Sequence, residues 1–96
     1  MEIANAFGKV LRKLRLKAGL TQEQLGLDAD IRRTYVSLIE LGQNQPTITT
    51  IFKLSAALNI SPSKFVKLVE EEIQKNWFFS GVVSVIGLPQ SLVKPI

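Results

Sequence analysis

The chain has 96 residues, about one domain's worth, and 46% of them are hydrophobic, enough to build a core. It contains neither cysteine nor histidine, which excludes a disulfide scaffold, a Cys/His zinc site and catalysis through a Cys or His group. Twelve Lys and Arg against eight Asp and Glu leave a net charge of +4, which favours an anionic partner: nucleic acid first, a membrane surface second.

The amino terminus, Met1-Glu2-Ile3-Ala4-Asn5, has no cationic run ahead of an apolar stretch. No export signal is expected, and the absence of cysteine suits a cytoplasmic location. Phe7, Leu11, Leu14 and Ala18 recur at helical spacing and predict an apolar stripe on a first helix. Lys9, Arg12, Lys13 and Arg15 lie off that stripe, and Gly19 closes the helix. Thr21-Gln22-Glu23-Gln24 has the form of a capping box and opens a second helix. Asp28-Ala29-Asp30 breaks it after about two turns. Leu25 faces inward, and Gly26 offers a small surface to a neighbour.

A third helix is predicted from Arg32 to Leu41, with Val36 and Ile39 inward and Arg33, Thr34, Ser37 and Leu38 on other sides. Gly42 stops it before a polar loop, Gln43-Asn44-Gln45-Pro46. Thr47 caps a fourth helix with Ile48, Ile51, Leu54, Ser55 and Leu58 inward. Ser61-Pro62 starts a fifth, which buries Phe65, Leu68, Val69 and Ile73. The expected fold is all-α, five short helices in residues 1–75.

The second and third helices form a helix-turn-helix. In that arrangement one helix crosses the DNA backbone while the next enters the major groove, about 12 Å wide, with its N-terminal residues at the base edges. The turn needs a residue at positive φ, and Asp30 can adopt it.

Leu20-Thr-Gln-Glu-Gln-Leu25 followed by Ile31-Arg-Arg-Thr-Tyr-Val-Ser-Leu-Ile-Glu40-Leu-Gly42 resembles the Cro/CI-type (XRE-like) helix-turn-helix family. Pro46-Thr47 and Leu54-Ser-Ala-Ala-Leu58-Asn-Ile-Ser-Pro62 extend the likeness, which covers roughly residues 5–70. In size and style the chain is similar to the controller proteins of restriction–modification systems. The resemblance implies a lambda-repressor-like fold and a sequence-specific DNA-binding transcriptional regulator, a homodimer on near-palindromic double-stranded DNA. It implies no cofactor, metal or small-molecule ligand.

Residue by residue, the resemblance implies that Gln22 binds a phosphate and that Arg33 and Thr34 read base edges. Ser37 and Leu38 lie one turn on, and Leu38 can touch only a thymine methyl or sugar. Arg32 and Tyr35 are placed for phosphates, and Asn44 for the next phosphate along. Glu40 is expected to pair with Arg15 as a strut between helices. The loop after the third helix is neutral where the family often has a cation, and Leu38 and Leu41 replace positions that are often polar. Both departures thin the electrostatic contact and make dimerisation important.

Residues 76–96 carry a single charge, Lys94. Glycines, serines and Pro89 argue against a membrane span. Val82–Ile86 reads as a short strand that needs a partner. Trp77, Phe78, Val82, Val83, Val85 and Ile86 are the candidate dimer contacts. Packing on the chain's own domain is an alternative for the tail, and the fifth helix is an alternative dimer surface. A functional alternative is an antitoxin-like module whose tail covers a partner protein. An enzyme is not expected, because no nucleophile has a base beside it.

Overall fold

The computed structural model describes residues 3–79, with side chains through residue 75. Five helices fill that span: α1 (Ile3–Lys17), α2 (Gln22–Ala29), α3 (Arg33–Glu40), α4 (Ile48–Ala57) and α5 (Pro62–Phe79). No strand occurs among the described residues. α1 packs on α3 and α5, α2 on α3 and α4, and α4 on α5.

The starts follow local chemistry. The Thr21 hydroxyl accepts the Gln24 backbone N–H at 3.0 Å, and Gln24 Oε1 accepts the Thr21 N–H at 2.9 Å, completing the capping box. Thr47 accepts from the Thr50 N–H, and Ser61 from the Lys64 N–H, each at 3.1 Å.

The ends share one device. After each of α1 to α4, a residue at positive φ donates its N–H three residues back, and its successor donates five residues back. The closing residues are Gly19, Asp30, Gly42 and Asn59, with Asp30 at φ 59° and Asn59 at φ 57°. Short polar Asp and Asn tolerate this region better than most residues.

The core joins all five helices. Phe7 of α1 stacks on Phe65 of α5, with ring centroids 4.6 Å apart and planes 12° from parallel. Leu11, Leu25, Val36, Ile39 and Leu54 are wholly buried around them. Each such side chain contributes about 1.5–3 kcal/mol by leaving water. Leu14, Ile51, Leu58, Leu68 and Ile73 are half-buried at the margin of this cluster.

Several expectations need correction. Ile48, expected inside, is 69% exposed. It is the first residue of α4, and a side chain there leans back over the helix start, past the core. Ala18 lies in the turn after α1 and is exposed, because the chain has already left the helical face. α3 is shorter than expected: Arg32 is its N-cap, without a side-chain cap bond, and Leu41 its C-cap. α5 runs on to Phe79, so the change of composition at Asn76 does not coincide with a helix end. The Trp77 and Phe78 side chains, and all of Val82, Val83, Val85 and Ile86, lie outside the described residues.

Candidate nucleic-acid interface

α2 and α3 meet where Gly26 faces the start of α3. A Cβ on Gly26 would sit 2.8 Å from the Ile31 carbonyl oxygen and 3.3 Å from the Arg33 nitrogen. Only glycine allows this approach without moving the backbone. Asp30 supplies the positive φ that turns the chain into α3. Val36 and Ile39 then face the core, which leaves the opposite side of α3 free.

That free side begins with Arg32, Arg33 and Thr34, all exposed. Arg33, Thr34 and Ser37 join Gln22 around an open cleft of about 220 Å³. A neighbouring cleft of about 580 Å³ is also bordered by Gln22 and Arg33, with Thr21 and Arg15. Gln22, Arg33, Thr34 and Ser37 of the candidate contacts therefore share one face, while Arg32 borders a separate cleft with Gly26 and Asp30. Ser37 and Leu38 are half-buried. Tyr35 packs its ring against the core margin, so it is anchored rather than free. Asn44 is half-buried in the loop after α3.

Behind this face lies a buried ionic node. Arg15 Nη2 donates to Glu40 Oε1 at 3.0 Å, and Nε donates to Oε2. Nη1 donates to the Leu20 carbonyl oxygen at 2.9 Å. The hydrogen bond to Glu40 raises the Arg15 pKa above its ordinary value; burial opposes this, and the Glu40 charge adds to it. Gln22 Nε2 also donates to Glu40 Oε1, at 3.1 Å. The node thus ties α1, α2 and α3 together, and the Arg15–Glu40 strut expected from the sequence is present.

Sequence reasoning missed two features. Gly8 of α1 is buried against α3, and a Cβ there would lie 2.6 Å from the Glu40 carbonyl oxygen, with the Ile39 carbonyl also in conflict. The signal was available, because Ala4 and Gly8 are small residues one turn apart. The second is the bond from Gln22 to Glu40, which no spacing rule announces.

The chain's residues 11–65 match the family model described as helix-turn-helix. The chain belongs to the helix-turn-helix family. Within that family, it is 38% identical over 72 residues to the control protein C.MunI of Mycoplasma sp, covering 74% of this chain and 97% of that protein. It is 40% identical over 57 residues to the control protein C.BamHI of Bacillus amyloliquefaciens, covering 58% of this chain and 70% of the relative. Among solved structures, the restriction–modification controller C.Esp1396I superposes with a TM-score of 0.72 at 31% identity, over 78% of this chain and 97% of that one. C.Esp1396I has also been crystallised as a tetramer on its natural 35 base-pair operator.

These helix-turn-helix controllers are sequence-specific DNA-binding transcriptional regulators. The antitoxin-like alternative is not favoured. Among the described residues, no helix is long and apolar enough to cross a membrane.

Proposed function

We propose that this helix-turn-helix chain is a cytoplasmic, sequence-specific transcriptional regulator of the restriction–modification controller kind, binding double-stranded DNA as a homodimer. The observation that carries this reading is the exposed first turn of α3. Arg33 and Thr34 project from a helix held against the core by Val36 and Ile39 and tied at its last residue by the Arg15–Glu40 node.

In this reading Arg33 donates bidentately to guanine O6 and N7, and Thr34 contacts a neighbouring base edge. Gln22, Arg32, Tyr35 and Asn44 hold phosphates and set the register. Ser37 and Leu38 face the groove one turn further on. Two copies place their recognition helices about 34 Å apart, in successive major grooves of a near-palindromic operator. Regulation follows from occupancy and from the concentration of the protein.

Dimerisation uses apolar surface. Ile48 and Phe52, four residues apart on α4, are 69% and 58% exposed. Side chains at that spacing share a helix face, and a second copy is the occupant proposed for it. Trp77, Phe78, Val82, Val83, Val85 and Ile86 are proposed to enlarge the contact from the tail.

Selection of bound sequences from random duplexes, with the stoichiometry of the complex, tests the reading. Two chains on a palindromic site are expected. No association with any duplex at low salt overturns it.

A further inference from the structure

The node behind α3 has one bond that holding the fold does not require. Arg15 and Glu40 alone would join α1 to α3; Gln22, on the exposed start of α2, adds a third partner. Glu40 is nearly buried, its side chain 3% exposed, whereas Gln22 lies half in solvent beside Arg33, Thr34 and Ser37. A carboxylate only accepts hydrogen bonds, so the Gln22 amide must turn its nitrogen, not its oxygen, towards Glu40. A free glutamine amide flips and turns through several rotamers, and ordering it on binding costs free energy.

We infer that Glu40 is a positioning residue for DNA contact: it holds the Gln22 side chain in one rotamer and one amide orientation, so that the second Nε2–H is aimed and ready to donate to a phosphate. This rests on the proposed phosphate role of Gln22. Glu40 itself touches no DNA; it acts through Gln22.

Electrostatics makes the test sharp, because it predicts the opposite sign. Glu40→Gln removes a negative charge near the DNA face and leaves the Arg15 charge without its counter-ion. Both changes favour a polyanion lying within about one Debye length, about 10 Å at ordinary salt. A long-range charge effect therefore tightens binding. Loss of positioning weakens it.

The experiment is a double-mutant cycle on the full chain, using fluorescence anisotropy with a duplex selected by the wild type. Gln22→Ala is expected to weaken binding about tenfold and Glu40→Gln about fivefold, the range of a hydrogen bond worth about 1 kcal/mol. The double variant is expected to bind no worse than Gln22→Ala, because Glu40 has nothing left to position. A purely structural role gives instead the same loss from Glu40→Gln in both backgrounds, and that result overturns the inference alone. Tighter or unchanged binding by Glu40→Gln overturns it too. Unchanged binding by Gln22→Ala overturns the phosphate reading and takes the inference with it.

Where Glu40→Gln fails to fold, Glu40→Asp enters the same cycle. It keeps the charge facing Arg15 and withdraws the carboxylate from Gln22 by one methylene. NMR of the unbound wild type provides an independent check. A Gln22 side-chain amide as rigid as the backbone supports positioning, and one that reorients freely overturns it.

Discussion

Arg15 of α1 and Glu40 of α3, 25 residues apart in sequence, meet through paired hydrogen bonds in nearly complete burial. The planar guanidinium matches the carboxylate, and another of its five N–H donors goes to the Leu20 carbonyl. Removing one partner strands a buried charge, which costs far more than an exposed pair contributes. Arg15→Ala is therefore expected to lower stability by about 3–5 kcal/mol, read by urea denaturation. The raised Arg15 pKa gives the sign with pH: the contribution is complete below the unfolded-state value and is lost only as pH rises through the folded one. Both lie above any working pH, so the loss in the variant should be the same at neutral and mildly alkaline pH.

Gly8→Ala puts a methyl group against two backbone carbonyls of α3, those of Ile39 and Glu40. Backbone oxygens cannot swing aside as a side chain can. The helix gains about 1 kcal/mol from alanine's propensity but must shift α1 away from α3. A net loss of about 2 kcal/mol is expected in thermal melts. Equal or higher stability would mean that α1 and α3 are not in close contact at Gly8.

The contrast between Gly8 and Gly26 shows what a sequence carries. Gly26 was legible because it sits inside a helix-turn-helix pattern that assigns its neighbour. Gly8 sits in a regular helix, where only the small Ala4 one turn before it hints that another backbone comes near. The five helices were readable because α2, α4 and α5 start on a Thr or a Ser-Pro signal and α1 and α3 close on Gly. Periodicity placed Leu11, Leu25, Val36, Ile39, Leu54, Phe65 and Val69 correctly in the core. It failed at Ile48 because periodicity describes a helix face, not how far along the helix that face stays covered. The shared face of Gln22 and Arg33 followed from the motif, whereas the grip of Glu40 on Gln22 depends on side-chain reach from the end of α3 to the start of α2.

Ser55 of α4 is wholly buried, and its hydroxyl has no hydrogen-bond partner among the described residues. A buried hydroxyl without a partner bears its desolvation cost with nothing in return. Ser55→Ala removes that cost and suits the helix better. A gain of about 1 kcal/mol is expected by chemical denaturation. A loss instead would point to a bond that the hydroxyl makes, such as one to a buried water.

Phe52→Glu places a charge on the exposed α4 face beside Ile48. The folded domain should tolerate it, since Phe52 is already 58% exposed. The proposed dimer should not: a carboxylate in place of an aromatic ring packed between two copies would cost about 2 kcal/mol, some thirtyfold in dimer affinity. Sedimentation equilibrium reads this directly. Val83→Asp tests the tail in the same way. An unchanged dimer in the Phe52 variant removes α4 from the interface.

Three residues proposed to contact DNA should fail in three distinguishable ways. Arg33→Ala is expected to cost about 1–3 kcal/mol on the preferred duplex and to relax selection at one position of each half-site. Arg32→Ala should weaken every sequence alike and lower the slope of log affinity against log salt by about one, because one fewer counter-ion is released. Gln22→Ala should also weaken every sequence alike, yet leave that slope unchanged, because the amide carries no charge. Titrations of the three variants over a range of salt, repeated on selected and scrambled duplexes, separate these outcomes. Undiminished selectivity in Arg33→Ala would move base reading to another residue of α3. A shallower salt slope in Gln22→Ala would mean that its loss also displaces a cation, with Arg33, which shares both of its clefts, the nearest candidate.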